Sequence, residues 1–299
     1  MESSGDRLNK AQANFAICGL VCQTTGMIVL RLLSLGFVLL TAPAASFAQG
    51  ATCQQFFPGG QPPALVNARL APRTTLLCND AYAVLASGLT HGPLWSAEHL
   101  TAASLAAARS TARTGTFHPD DRLPRADQAQ LRDYRSSGYD RGHMTPSGDM
   151  PDAQAQQQSF SLANIVPQLG VLNRGIWEGI ESAVRDLVVR EGELYVVTGP
   201  AFEGEQIDAI GPDGVLVPTS TWKAVYDPRV RGTAVYMCRN TLKPTCSIIS
   251  VAVLSRRVGV DPFPGVTEDV KQTAMALPLP NPSHYQSAAS PRHRGGTGQ

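Results

Sequence analysis

Apolar positions recur at helical spacing most clearly in one part of the chain. Ile176, Trp177, Ile180, Ala183, Val184, Leu187 and Val188 follow the 3-4-3 interval of an amphipathic helix, which predicts a helix over 172–190. Other apolar runs are shorter and β-like. Residues 76–89 read as a strand with Asn79-Asp80 as a turn signal, and 93–101 as a second. Residues 193–200 read as a strand ending in the Gly199-Pro200 turn, and 215–217, 221–226, 233–237 and 247–254 as further strands. The Ala-rich stretch 100–109 predicts a short helix. Segments 51–76 and 117–133 carry Pro, Gly and polar residues and read as irregular, 154–160 as a polar connection, and 261–265 as a turn. Beyond 278 the periodicity ends and the composition turns to Pro, Ser, Arg and Gly, which predicts a disordered tail over 279–299. There is no internal repeat. Irregular alternation of strands and helices predicts one α+β domain over 52–278.

Residues 1–48 stand apart. An apolar run from Met27, broken by Arg31, leads to Pro43 and then to Ser46 and Ala48, small residues at signal-peptidase spacing. The expectation is an N-terminal extension plus a cleaved signal peptide, with Met27 as the true start and a secreted or periplasmic product. The rival is an uncleaved anchor, against which the run is short and carries Arg31. No stable membrane association is expected after cleavage.

Composition narrows the partner classes. The chain has 299 residues, 43% hydrophobic and 16% charged, with 25 basic against 24 acidic residues and a net charge of +1. A polybasic coating protein and an acidic disordered chain are both excluded. Removing 1–48 takes away Arg7, Lys10, Arg31, Glu2 and Asp6, leaving no net charge, so any attraction for nucleic acid must be local. It also removes Cys18 and Cys22. Of the four cysteines left, Cys53 with Cys78 and Cys238 with Cys246 each close a local loop, and that disulfide pairing is favoured over four buried thiols. Zinc is disfavoured, because no paired cysteines survive at finger spacing.

The densest chemistry is Asp140-Arg141-Gly142-His143, followed by Asn164-Ile-Val-Pro-Gln168 and by Asn173, Trp177 and Glu181. A lone histidine is usually structural, but this one has Arg and Asp within three residues. Gly142 removes side-chain bulk so that another group can approach. At about 100° per residue, Trp177 lies about 40° and Glu181 about 80° from Asn173, so one broad helix face carries all three. The competing readings are Asn173 as an N-cap and Glu181 as a solvated carboxylate.

Asp140-Arg141-Gly142-His143-Met144 resembles the signature of the DNA/RNA non-specific endonucleases, the ββα-metal family of Serratia-type and endonuclease G-type nucleases. Ala163-Asn164-Ile165-Val166-Pro167-Gln168 and Leu172-Asn173 through Trp177 to Glu181 resemble that family's next two motifs. The segments 196–200, 218–223 and 257–264 also look like it, so the likeness spans about 75–270. It implies a ββα-metal core on a central, mostly antiparallel sheet with flanking helices. It implies a sugar-non-specific phosphodiester hydrolase acting on DNA and RNA and leaving 5′-phosphates.

The resemblance also implies roles. His143 resembles the general base that takes a proton from water, a task suited to a neutral imidazole near pH 7. Asn173 resembles the direct ligand of a hydrated Mg²⁺, which Mn²⁺ can replace, and Glu181 the carboxylate that holds metal-bound water. Arg141 resembles the guanidinium on the phosphate, Asn164 a supporting asparagine of the catalytic group, and Asp140 a loop-orienting residue. An upstream arginine is also implied, with Arg113 and Arg122 both candidates, and a homodimer is left open. Thr145 and Ala163 depart from the family's usual alanine and serine without removing a catalytic group. The alternative of another class is a catalytically inactive exported nucleic-acid-binding module. A serine esterase is disfavoured because no Gly-x-Ser-x-Gly elbow occurs.

Overall fold

Seven antiparallel strands form the framework of the computed structural model, which describes residues 53–281. The strands are β1 (Thr74–Cys78), β2 (Ala83–Ser87), β3 (Gly92–Thr101), β6 (Glu193–Ala201), β7 (Ser220–Asp227), β8 (Gly232–Arg239) and β9 (Cys246–Ile249). Their order in space is β9-β8-β7-β6-β3-β2-β1. Two further strands, β4 (Asp140–His143) and β5 (Ile165–Gln168), pair only with each other, as an antiparallel ribbon. The longer helices are α1 (Ala102–Ser110), α2 (Ala153–Ser159), α3 (Glu178–Glu191) and α4 (Val251–Val258). The architecture is the expected α+β class.

The sheet is buried on both faces. On one face Trp95, Ala97, Val197, Trp222, Ala224 and Met237 pack against Phe56, Phe57, Val251, Leu254 and Phe263. On the other, Leu100, Val196, Val225, Ala234 and Tyr236 pack against Leu105 of α1 and Ile180, Val184 and Leu187 of α3. The periodic stripe read from the sequence is therefore the buried face of α3, which ends at Gly192 with φ +95°. Ile180 is wholly buried, and its truncation to alanine would cost about 2–5 kcal/mol. Cys53–Cys78 and Cys238–Cys246 form disulfides, the pairing expected from loop closure.

Three segments differ from the pattern-based reading. Residues 76–89 form a hairpin, because the Asn79-Asp80 turn signal folds β1 back on β2, pairing Leu77 with Val84. The run 247–254 is strand only to Ile249. The Ser250 hydroxyl then accepts from the Val253 N–H, and this N-cap starts α4. The polar stretch 154–160 is mostly α2, whose N-cap Asp152 accepts from the Ala155 N–H. Short apolar runs do not distinguish strand from helix, and a polar helix leaves no apolar stripe to find. The segment 1–52, which holds the expected signal peptide, and 282–299, nearly all of the expected tail, lie outside the described residues. Among the described residues, no helix is long and apolar enough to cross a membrane.

Candidate active site

The β4–β5 ribbon carries His143 at its end, with Gly142 opposite Val166 and His143 opposite Ile165. The Gln168 side chain crosses directly over Gly142, in the space a Cβ would need. That is the approaching group the glycine makes room for. Asn164, just before β5, is fully buried and its amide is fully used. Its Oδ1 accepts from the Ser96 hydroxyl at 2.7 Å and from the Thr145 N–H at 3.0 Å. Its Nδ2 donates to the carbonyls of Thr145 and Ser159, each at 2.9 Å. Asn164 thus clamps the backbone two residues beyond His143. It does not line the cavity in which the other predicted groups meet, because all of its hydrogen-bonding capacity points into the protein.

Asn173 and Glu181 do not lie on one regular helix. Residues Leu172–Trp177 wind as a π-helical turn, and Gly175 leaves helical conformation at φ −109°, ψ −121° before α3 begins. The spacing of about 100° per residue fails across this turn, yet both side chains still reach the same cavity. Asn173 is not an N-cap. It sits inside the turn, and its Nδ2 donates to Asp140 Oδ2 at 3.1 Å. Arg174 pairs with the same Asp140 oxygen at 2.9 Å. Asp140 therefore ties the turn to β4, as its expected orienting role requires.

The cavity, of about 340 Å³, is lined by Arg113, Arg141, His143, Ser147, Asn173, Arg174, Glu178, Glu181 and Arg185. Of the two upstream arginines, Arg113 is present. Arg122 lies elsewhere, bonded to Asp120, Asn79 and the Cys78 carbonyl. Arg185 was missed in the sequence, although it stands one helical turn after Glu181 and so shares its face. It donates to Asp149 Oδ1 at 2.9 Å. A second cleft of about 570 Å³ shares Arg113, Arg141, Asn173 and Arg174 and adds Phe117, Tyr134, Arg135 and Tyr139. A groove of similar size near Asn67 and Arg257 contains none of these groups.

His143 is 9% exposed, and its Nε2 is buried without a hydrogen-bond partner among the described residues. Phe117 and Phe160 pack around the ring at centroid distances of 5.4 and 4.9 Å. Burial, helped by the positive charge of Arg113, pushes its pKa down to about 3, so the imidazole is neutral. The Arg141 guanidinium lies over the Phe117 ring at 4.4 Å. Glu181 is pushed up to about 7 by burial, with Asp149 and Glu178 adding to the rise and Lys223 and Arg185 opposing it.

The donor set suits a hydrated divalent cation. Asn173 and Glu181 can each offer a side-chain oxygen, since the Asn173 amide bonds Asp140 through its Nδ2. No group of three His, Cys, Asp or Glu is placed to hold a metal among the described residues. Few oxygen ligands with water completing the shell is the pattern of Mg²⁺ rather than of zinc.

Comparison with known proteins agrees with this arrangement. Nuclease 1, mitochondrial, of Schizosaccharomyces pombe is 36% identical over 159 residues, 49% of this chain and 49% of that protein. Endonuclease G, mitochondrial, of Bos taurus is 31% identical over 177 residues, 56% of this chain and 59% of that protein. A nuclease of Syncephalastrum racemosum is 43% identical over 111 residues, 36% of this chain and 35% of its own length. The chain thus spans about half the length or less of the first two fungal relatives, and somewhat more of the bovine one. In a solved EndoG/EndoGI complex, a chain superposes with a TM-score of 0.65 at 25% identity, covering 76% of this chain and 97% of that one. The expectation of a secreted or periplasmic protein is corrected here. Relatives from S. pombe, Saccharomyces cerevisiae, zebrafish, human and cattle are named mitochondrial nucleases, which runs against that expectation. The DNA/RNA non-specific endonuclease model matches residues 65–269, and the chain belongs to that family.

Proposed function

We propose that this chain hydrolyses phosphodiester bonds of DNA and RNA with a bound divalent cation, Mg²⁺ or Mn²⁺, leaving 5′-phosphates. The observation that carries the reading is a neutral His143 lining one cavity with Asn173, Glu181 and several arginines.

A neutral imidazole has one ring nitrogen with a lone pair for the proton of the attacking water. Its low pKa rests partly on Arg113. A phosphodiester seated on Arg113 and Arg141 offsets that charge and favours the imidazolium that forms. Arg141 and Arg113 hold the nonbridging oxygens, and Arg185 adds positive charge from α3. Asn173 would hold the cation directly and Glu181 through water. The bound cation supplies Lewis-acid polarisation of the phosphate. Asn164 keeps the His143 loop in place. The adjoining cleft, with Arg135, Arg174 and three aromatic rings, carries the strand beyond the scissile phosphate. Such contacts grip backbone and base faces without reading sequence.

The test is incubation of purified protein with plasmid DNA and with RNA in Mg²⁺, with EDTA and His143→Ala controls. Degradation of both by the wild type alone, stopped by EDTA, is expected. Intact nucleic acid in both Mg²⁺ and Mn²⁺ overturns the reading and favours the inactive binding module.

A further inference from the structure

The sheet face under the site is polar where its surroundings are not. Ser96 of β3 pairs in register with Thr198 of β6, and Thr198 with Lys223 of β7. Residues paired across neighbouring strands share a face, so the three form a row. Glu98 and Thr221 lie two residues along their strands on the same face. All five are at most 1% exposed. The rest of that face, including Leu100, Val196 and Val225, is apolar and packs against α1 and α3.

The row reaches both halves of the site. Ser96 donates to Asn164, which clamps Thr145 beside His143. Gln168, which covers Gly142, donates from Nε2 to Thr221 Oγ1 at 3.2 Å. Lys223 Nζ donates to Thr198 Oγ1 at 2.7 Å and lies 5.8 Å from the centre of the Trp177 ring. Trp177 stands four residues after Asn173 and four before Glu181. Lys223, Asp149 and Arg185 act on the buried carboxyls of Glu98 and Glu181, and Glu178 acts on Glu181 as well. Both carboxyl oxygens of Glu98 lack a hydrogen-bond partner among the described residues.

A buried lysine and a buried carboxyl are costly, and apolar residues of similar volume commonly pack as well or better. Stability therefore does not explain them, whereas geometry and local charge do. We propose that Lys223 is a positioning residue. The Ser96–Thr198–Lys223 row sets His143 against the Asn173–Glu181 pair, and Lys223 supplies the buried positive charge facing the cation site. This rests on the nuclease reading above.

The experiment compares wild type, K223M and K223R in oligonucleotide cleavage and in calorimetric titration of the metal-free proteins with Mn²⁺. K223M is expected to lose about 10- to 100-fold in kcat with KM within about twofold. It should also bind Mn²⁺ more tightly, because a neighbouring positive charge is gone. K223R should regain most of the kcat. A merely structural lysine predicts the opposite metal result, weaker binding together with lost activity, and that outcome overturns the proposal. So does a K223M variant with wild-type kcat. If K223M does not fold, T198V and S96A take its place, each expected to lower kcat at constant KM, and unchanged kcat in both overturns the proposal. A wild type that cleaves neither DNA nor RNA overturns the nuclease reading as well, whereas a cleaving wild type matched by K223M removes only this proposal.

Discussion

The side chain of Gln168 fills the space beside Gly142 that any Cβ there would need, so the glycine in the Asp140–His143 strand is dictated by its neighbour across the ribbon. Gly142→Ala forces Gln168 out of its place and costs about 1–3 kcal/mol of stability. Activity should fall with it, because His143 is the next residue. The Gly142→Ala/Gln168→Ala pair should recover part of the thermal stability lost by Gly142→Ala. Strict additivity of the two single changes in a melting experiment would contradict the contact.

His143→Ala removes the proposed base from a cavity whose other groups stay in place. The expected loss in kcat is at least about 100-fold, with KM changed by no more than about threefold. Steady-state cleavage of a fluorescent oligonucleotide separates the two. A fall confined to KM would assign the histidine to binding.

Glu181 links stability to pH in the metal-free protein. Its carboxyl titrates near 7 in the fold against about 4.5 when exposed, because burial disfavours the anion. The unfolded chain therefore releases the proton first as pH rises. The fold bears no penalty below about 4.5, a growing one between about 4.5 and 7, and a constant one above. Glu181→Gln escapes it, so in EDTA the variant should gain about 1–3 kcal/mol on the wild type across that window. Melting curves at several pH values check this, and a difference independent of pH contradicts it. Mg²⁺ should narrow the gap by stabilising only the wild type.

Arg135 lies in the cleft beside the cavity, outside the cavity itself. Arg135→Ala should raise KM for long substrates, leave the cleavage of a minimal phosphodiester such as bis(p-nitrophenyl) phosphate unchanged, and reduce the salt slope of binding by about one. Equal loss on both substrates would place the arginine in the reaction centre instead. Since net charge is close to zero, metal-free binding at physiological salt should be weak, as a gel-shift titration would reveal.

The Cys53–Cys78 disulfide joins the start of the described chain to β1, 25 residues apart. Replacing both cysteines with serine should cost about 2–4 kcal/mol, mainly by freeing the unfolded chain. Denaturant titration checks it, and an unchanged midpoint would mean that the packing of Phe56 and Phe57 suffices to hold the segment.

Much of this was legible in the chain itself. The α3 stripe, the cysteine pairing and the residue types at 140–143, 164, 173 and 181 follow from local pattern, spacing and motif, which one strand of sequence carries in full. Arg185 was legible in principle, one turn from Glu181, but an apolar search passes over it. The π turn at Leu172–Trp177 was not, since it depends on Gly175 leaving the helix within a packed setting. Nor was the choice of Arg113 over Arg122, because composition is the same at both and only partners differ. The sequence by itself determined which chemical groups are present and which helix face is apolar. The tertiary structure decided that Asn164 backs the site rather than lining it, that burial and Arg113 keep His143 neutral, and that Lys223, 80 residues after His143, packs against the Trp177 ring. Those outcomes depend on dielectric, hydrogen-bond satisfaction and strand register, which are properties of assembled neighbours and not of any one segment.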